Sequence, residues 1–184
     1  MNDYPAIFDA LTRDERYLAN LDWGQPRRGH PEGSVRAHIA ELERNLRHFR
    51  PRLSDDDYWK LRILIHTHDT FKGEALSGVA IAHPRSHASL ARALLAEFCD
   101  DEDLLTMVQL HDEPFALWNQ QQHRVSIDAA RFERLLKAIR DWNLFSAFLL
   151  IDGCTAGKDR ASLRWFFSEV EGRIESTFSA EDIL

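Results

Sequence analysis

His38, the adjacent pair His68-Asp69, and Asp152 are the residues best suited to do chemistry in this chain. The pair lies in Leu64-Ile65-His66-Thr67-His68-Asp69-Thr70-Phe71-Lys72, where an apolar run stops at two good metal ligands. Asp152 closes a second apolar run, Phe148-Leu149-Leu150-Ile151. Neutral imidazole with carboxylate suits a borderline divalent cation such as Mn, Fe, Co, Ni or Zn. Four such residues, if they converge, make a metal site of hydrolytic type. Taken singly, each has a plainer reading. His68 is then a satisfied core histidine beside a helix-end carboxylate. Asp152 is either a cation ligand or a helix-terminal carboxylate bonded to backbone donors, because a buried charge needs a partner.

The elements that would bring these residues together read as helices. Residues 5 to about 21 predict one or two helices, and 22–33, rich in Gly and Pro, a loop. Ser34 is a cap for a helix to about 49, with Val35, Ile39, Leu42 and Leu46 as its stripe and His38 beside it. Pro51 stops it, and Ser54 with Asp57 starts the next, which carries Tyr58, Leu61, Ile65 and His68 on one face. Residues 70–84 predict a loop or lid after the pair. Ser86 caps a helix containing His87, and one begun at Asp100 and Asp101 ends at a second His-Asp pair, His111-Asp112. Glu113-Pro114 is read as a break and 119–123 as a loop. Ser126 would cap a helix to about 140, Asp141 a strongly apolar one from 142 to 151, and a last helix covers 162–178. The expected fold is all-α, a single domain over 1–184 that gathers helix-end groups into one pocket.

Composition narrows the function classes. The 184 residues suffice for one domain with a real core. Gly 8 and Pro 6 leave few turns, which favours helices over a many-stranded sheet. A net charge of −7 argues against a broad surface for long nucleic acid, without excluding a phosphorylated substrate at a metal. No apolar run approaches the roughly 20 residues of a membrane helix, and no secretory signal is visible, so a cytoplasmic location is expected. Cys99 and Cys154 lie apart and read as buried apolar residues.

In this order the set resembles the HD superfamily of metal-dependent phosphohydrolases. Gly29-His30-Pro31-Glu32-Gly33 followed by His38 is similar to the segment around that superfamily's first ligand. His68-Asp69-Thr70-Phe71-Lys72 resembles its His-Asp-x-Gly-Lys motif, with Phe71 at the usual glycine, and Phe148 to Asp152 resembles its last motif. The resemblance spans about residues 29 to 160. It implies an HD-type helical domain in which His38, His68, Asp69 and Asp152 bind one divalent metal. His87, His111 and Asp112 either contact a substrate phosphate, the preferred reading, or hold a second metal bridged by Asp69. The family's second group is often His-His, whereas here it is His-Asp.

The activity so implied is hydrolysis of a small phosphorylated molecule, a nucleotide or other phosphomonoester first and a phosphodiester second, supported by Mn, Co, Ni or Mg. Asp69 would orient the water with an oxygen left free, and Lys72 and Arg85 would clamp the phosphate, with Lys158 and Arg160 as weaker candidates. Two other classes compete: a non-catalytic metal- and nucleotide-binding regulatory module, and a di-iron oxygenase on the same scaffold. Of the remaining histidines, His30 and His83 are candidates for the pocket mouth, His66 points elsewhere, and His48 and His123 are surface positions. Trp23 and Trp118, in or near loops, read as core or rim packing, with base stacking as the weaker alternative.

Overall fold

The computed structural model describes residues 2–27, 29–123 and 126–184. It is all-helical, with no strand among the described residues beyond one isolated bridge between Arg27 and His30. Ten α-helices follow in order: α1 (Tyr4–Leu11), α2 (Glu15–Asn20), α3 (Val35–Phe49), α4 (Asp55–Thr67), α5 (His87–Leu95), α6 (Glu102–Leu110), α7 (Glu113–His123), α8 (Ala129–Ala138), α9 (Trp142–Gly153) and α10 (Ala161–Val170). No helix among the described residues is long and apolar enough to cross a membrane.

Short polar residues start most of these helices by accepting hydrogen bonds from first-turn amides. Ser34, Ser54 and Ser86 do so for α3, α4 and α5, and Asp101 and Asp141 for α6 and α9. α9 is apolar all round, and its residues from Leu144 to Ile151 are buried, as a central helix requires. α3 and α4 pack on α9 and on each other, and the paired helices α5 and α6 pack against α4. These contacts set the site. α3 contributes His38, the end of α4 His68 and Asp69, α9 Asp152, the first turn of α5 His87, and the end of α6 His111 and Asp112.

Four expectations need correction. Glu113-Pro114 does not end helical structure but begins α7, because proline in a first turn forfeits no hydrogen bond. α7 then runs through residues 119–123, expected as a loop; that stretch has no Gly or Pro, and α7 packs on α10. The cap of α8 is Asp128, whose carboxylate accepts from Arg131 N at 2.9 Å, and not Ser126. The last helix ends at Val170, short of residue 178, because Gly172 at φ +70° reverses the chain. That reversal returns Phe178 to the core edge-on to Phe49, 5.6 Å between centroids.

The segment after the His-Asp pair is ordered. It starts as a 3-10 turn, Thr70–Gly73, and Leu76 N bonds Arg85 O at 2.9 Å while Gln109 Nε2 bonds Ile81 O at 2.7 Å. Phe71 sits in that turn at φ −94° and is buried, so the position does not call for glycine, and the aromatic ring joins the core instead.

Phe145, on α9, is fully buried. Truncating Phe145→Ala should cost about 3–5 kcal/mol in a denaturant titration. A loss below about 1 kcal/mol would show that α9 is not the packing centre.

Candidate metal centre

The residues expected from the sequence do converge, in two sets that share Asp69. In the first, His38 Nε2 lies 3.1 Å from Asp152 Oδ1, and His68 Nε2 lies 3.4 Å from Asp69 Oδ2 and 3.9 Å from Asp152 Oδ1. In the second, His87 Nε2 and His111 Nε2 are 3.2 Å apart, at 3.7 and 3.5 Å from Asp69 Oδ1. Asp112 Oδ2 adds to it, 3.3 Å from His87 and 3.6 Å from His111. Atoms bound about 2.1 Å from one cation stand about 3.0–3.4 Å apart at right-angle to tetrahedral geometry. Most of the separations fall in or just above that range.

The histidine tautomers follow from their other partners. His68 Nδ1 faces Leu64 O and Ile65 O at 3.1 Å each, and His111 Nδ1 faces Val108 O at 2.8 Å. A carbonyl oxygen only accepts, so each Nδ1 carries the hydrogen and each Nε2 presents a lone pair to the site. His38 Nδ1 lies 3.0 Å from Glu32 Oε1, in contact although too bent for a hydrogen bond. The carboxylate–imidazole pairing is the usual support behind a metal-ligating histidine. Lone pairs thus face carboxylate oxygens, an arrangement that requires a cation or a proton between them. His68 Nε2 and Asp69 Oδ1 are buried without a hydrogen-bond partner among the described residues. This donor set fits a divalent cation at either group, His38 with His68 and Asp152 or Asp69 with His87 and His111. His30, Glu32 and His38 form a third cluster of the same kind, and Glu32 Oε2 also lacks a partner.

The electrostatics of the carboxylates and of His68 follow the same pattern, whereas His111 is shifted toward the protonated form. Burial opposes ionisation of Asp69, but Lys72 and the facing histidines outweigh it and hold this carboxyl well below the usual range. Burial likewise opposes ionisation of Asp152, and Lys158, with its Nζ 2.6 Å from Oδ1, and His38 reverse the effect. Asp112 is lowered in spite of burial by His111 and His87. Burial pushes His68 down, favouring the neutral imidazole a metal needs. At His111 burial is outweighed by Asp112 and Asp69, which raise it. Of the carboxylates here, Asp69 is paired with the Lys72 ammonium and Asp152 with that of Lys158.

A cavity of about 580 Å³ opens on these groups and is lined by Asp69, Lys72, Asp112, Asp152 and Lys158. A second of about 550 Å³, walled by the segment after the His-Asp pair, reaches Lys72, His87 and Asp112 from the other side. Lys72 contacts Asp69 Oδ2 and lines both cavities. Asp69 Oδ1, the oxygen not held by Lys72, faces His87 and His111 of the second set. Arg85 is exposed and outside the lining of both cavities. His30 lines the cavity mouth, whereas His83 is exposed and bonds Arg85 N at 3.1 Å. His66 faces away from the site, bridging Tyr17 OH at 2.6 Å and Glu43 Oε1 at 3.1 Å.

Sequence reasoning undervalued two residues. Glu32 appeared only as part of a loop motif, and Lys158 only as one of several basic residues. Lys158 is placed by the turn after α9. Arg160 donates to the carbonyls of Gly153, Cys154, Thr155 and Lys158 at 2.8–3.0 Å, and Gly157, at φ +80°, packs where a Cβ would strike Pro31. No local pattern announces that clamp, since its acceptors are all backbone oxygens.

Titration of the metal-free protein with Mn, Co, Ni or Zn should raise its melting temperature, by about 2.7 kcal/mol of stability at a hundred times Kd. Glu32→Gln, keeping the shape but losing the charge behind His38, should weaken that binding about 10–100-fold; an unchanged Kd would remove Glu32 from the support of the centre. No family model, curated protein or solved structure matches this chain.

Proposed function

We propose that the chain is a metal-dependent phosphohydrolase of the HD type, acting on a small phosphorylated molecule. One observation carries this reading: the two oxygens of the buried Asp69 carboxylate face separate imidazole sets, Oδ2 toward His38 and His68 and Oδ1 toward His87 and His111. His38, His68 and Asp152 would hold one divalent cation and His87 and His111 a second, with Asp69 between the two sets, and a pair of cations so held would suit displacement at phosphorus. This arrangement favours a second cation over direct contact of His87 and His111 with phosphate. A phosphate oxygen bonded to both Nε2 atoms would meet the carboxylates of Asp69 and Asp112 at similar distance, like charge against like.

Bound divalent cations would supply Lewis acidity toward a phosphoryl oxygen and make water acidic enough to attack near neutral pH. The protein's own residues do the rest. Asp69 fixes the two sets relative to one another. Lys72 and Lys158 now neutralise Asp69 and Asp152, and both line the cavity. Were those carboxylates to hold cations, the two ammonium groups would be free to hold phosphoryl oxygens as charge builds on them. Asp112, its side chain 43% exposed and the most open carboxylate of the centre, would complete the second donor set with His87 and His111. The apolar floor of Phe148, edge-on to His68 and His111 at 5.2 and 6.5 Å, keeps bulk water from beneath the imidazoles.

Purified protein given Mn, Co, Ni or Mg should hydrolyse phosphomonoesters. Asp69→Asn should lower kcat by at least about a hundredfold while the fold persists by circular dichroism. Metal and phosphate binding without turnover across a broad ester panel would instead support a regulatory module. Separately, Lys72→Met should lower kcat/KM by about 10²–10³ with metal content unchanged; wild-type kinetics in that variant would strike Lys72 from the machinery.

A further inference from the structure

The cavity has two unlike walls. One carries the charged groups, Asp69, Lys72, Asp152 and Lys158; the other is apolar, made by Phe115, Trp118, Leu163 and Phe166. Phe115 and Trp118 lie one turn apart on α7, so they share a face, with ring centroids 5.6 Å apart and planes tilted by 40°. Neither ring belongs to the hydrophobic core or to the side chains packed against it. Phe115 is 53% exposed, a large apolar ring left beside the most charged part of the molecule. Phe166 behind them is fixed, 1% exposed and packed on Phe132 and Trp142 at 6.3 and 6.2 Å.

We propose that Phe115 and Trp118 are a specificity wall that receives a planar aromatic group, so that the substrates are phosphomonoesters of aromatic-bearing alcohols. The proposal rests on the phosphohydrolase reading and names its substrate class. The exposed Phe115 ring and the half-buried Trp118 ring offer faces on which a third ring stacks or meets edge-on. A polyhydroxylated group in that place would lose its hydration without gaining hydrogen bonds from Phe115, Leu163 or Phe166. The volume of about 580 Å³ holds such a ring together with its phosphate. In the reaction, the oxygen of water bonds to phosphorus, the ester P–O bond breaks, and the products are inorganic phosphate and the protonated aromatic alcohol, with no change of oxidation state.

The test titrates the metal-loaded, full-length protein calorimetrically with three non-hydrolysable phosphonates: benzyl, cyclohexylmethyl and methyl. Benzyl and cyclohexylmethyl differ in planarity and π character, and simple burial of apolar area favours the saturated ring. Benzylphosphonate should bind about tenfold tighter than cyclohexylmethylphosphonate. Trp118→Ala should reduce that ratio to about twofold or less, leaving methylphosphonate affinity and metal content unchanged. Phe115→Ala, at an exposed position that packing does not need, should do the same and guards against a Trp118 variant that fails to fold. If benzyl and cyclohexylmethyl bind equally in the wild type, or if both variants keep the tenfold ratio, the aromatic wall is refuted and the phosphohydrolase reading stands. A metal-loaded protein that binds none of the three, or a protein that takes up no metal, overturns both.

Discussion

The buried carboxylate of Asp69 is the constraint on which the site depends. It is 6% exposed, at the end of α4, with imidazoles facing each of its oxygens. A carboxylate in such a place is tolerated only with compensating positive charge. The surroundings are arranged to provide it: Lys72 from the following turn, and two histidine sets in which backbone carbonyls accept from Nδ1 of His68 and His111 and so turn each Nε2 inward. The helices are packed so that five of their ends and faces meet around this one group.

That arrangement links stability to function. The central helix α9 supplies both the apolar floor, Phe148, and a candidate ligand, Asp152, from a single run of sequence. Asn45 on α3 donates to Ile151 O at 2.9 Å, tying the helix of His38 to the last turn of α9 beside Asp152. Core packing therefore sets ligand separations directly. Lys158 works the other way, reaching Asp152 from a turn that Arg160 holds by its carbonyls. The centre is rigid on the α3, α4 and α9 side and more open at Asp112 and along α7, where the cavity gives access.

Much of the site was legible in the sequence, because its residues sit where helical patterns end. His68-Asp69, His111-Asp112 and Asp152 each follow an apolar run, and a helix end places a polar group at the edge of a core. The helix caps at Ser34, Ser54, Ser86 and Asp141 were equally readable, since capping is a contact within three residues. The errors gathered where local signals are ambiguous. Glu113-Pro114 reads as a break or as a first turn, and only the packing of α7 on α10 decides. Residues 119–123, polar but free of Gly and Pro, follow α7 for the same reason.

The sequence by itself determined the helical class, most helix starts and the roster of candidate metal-ligating residues, since these follow from periodicity, capping and residue type. The tertiary structure alone decided how the roster divides. Asp69 is shared between two sets, Glu32 stands behind His38, Lys158 joins Lys72, and Arg85 falls outside. It also turned Phe115 and Trp118 toward the cavity, away from the core. The physical reason is range. Periodicity and capping act over a few residues, whereas His38 meets Asp152 across 114 positions of chain, and a separation of that kind is fixed only when α3, α4 and α9 pack together.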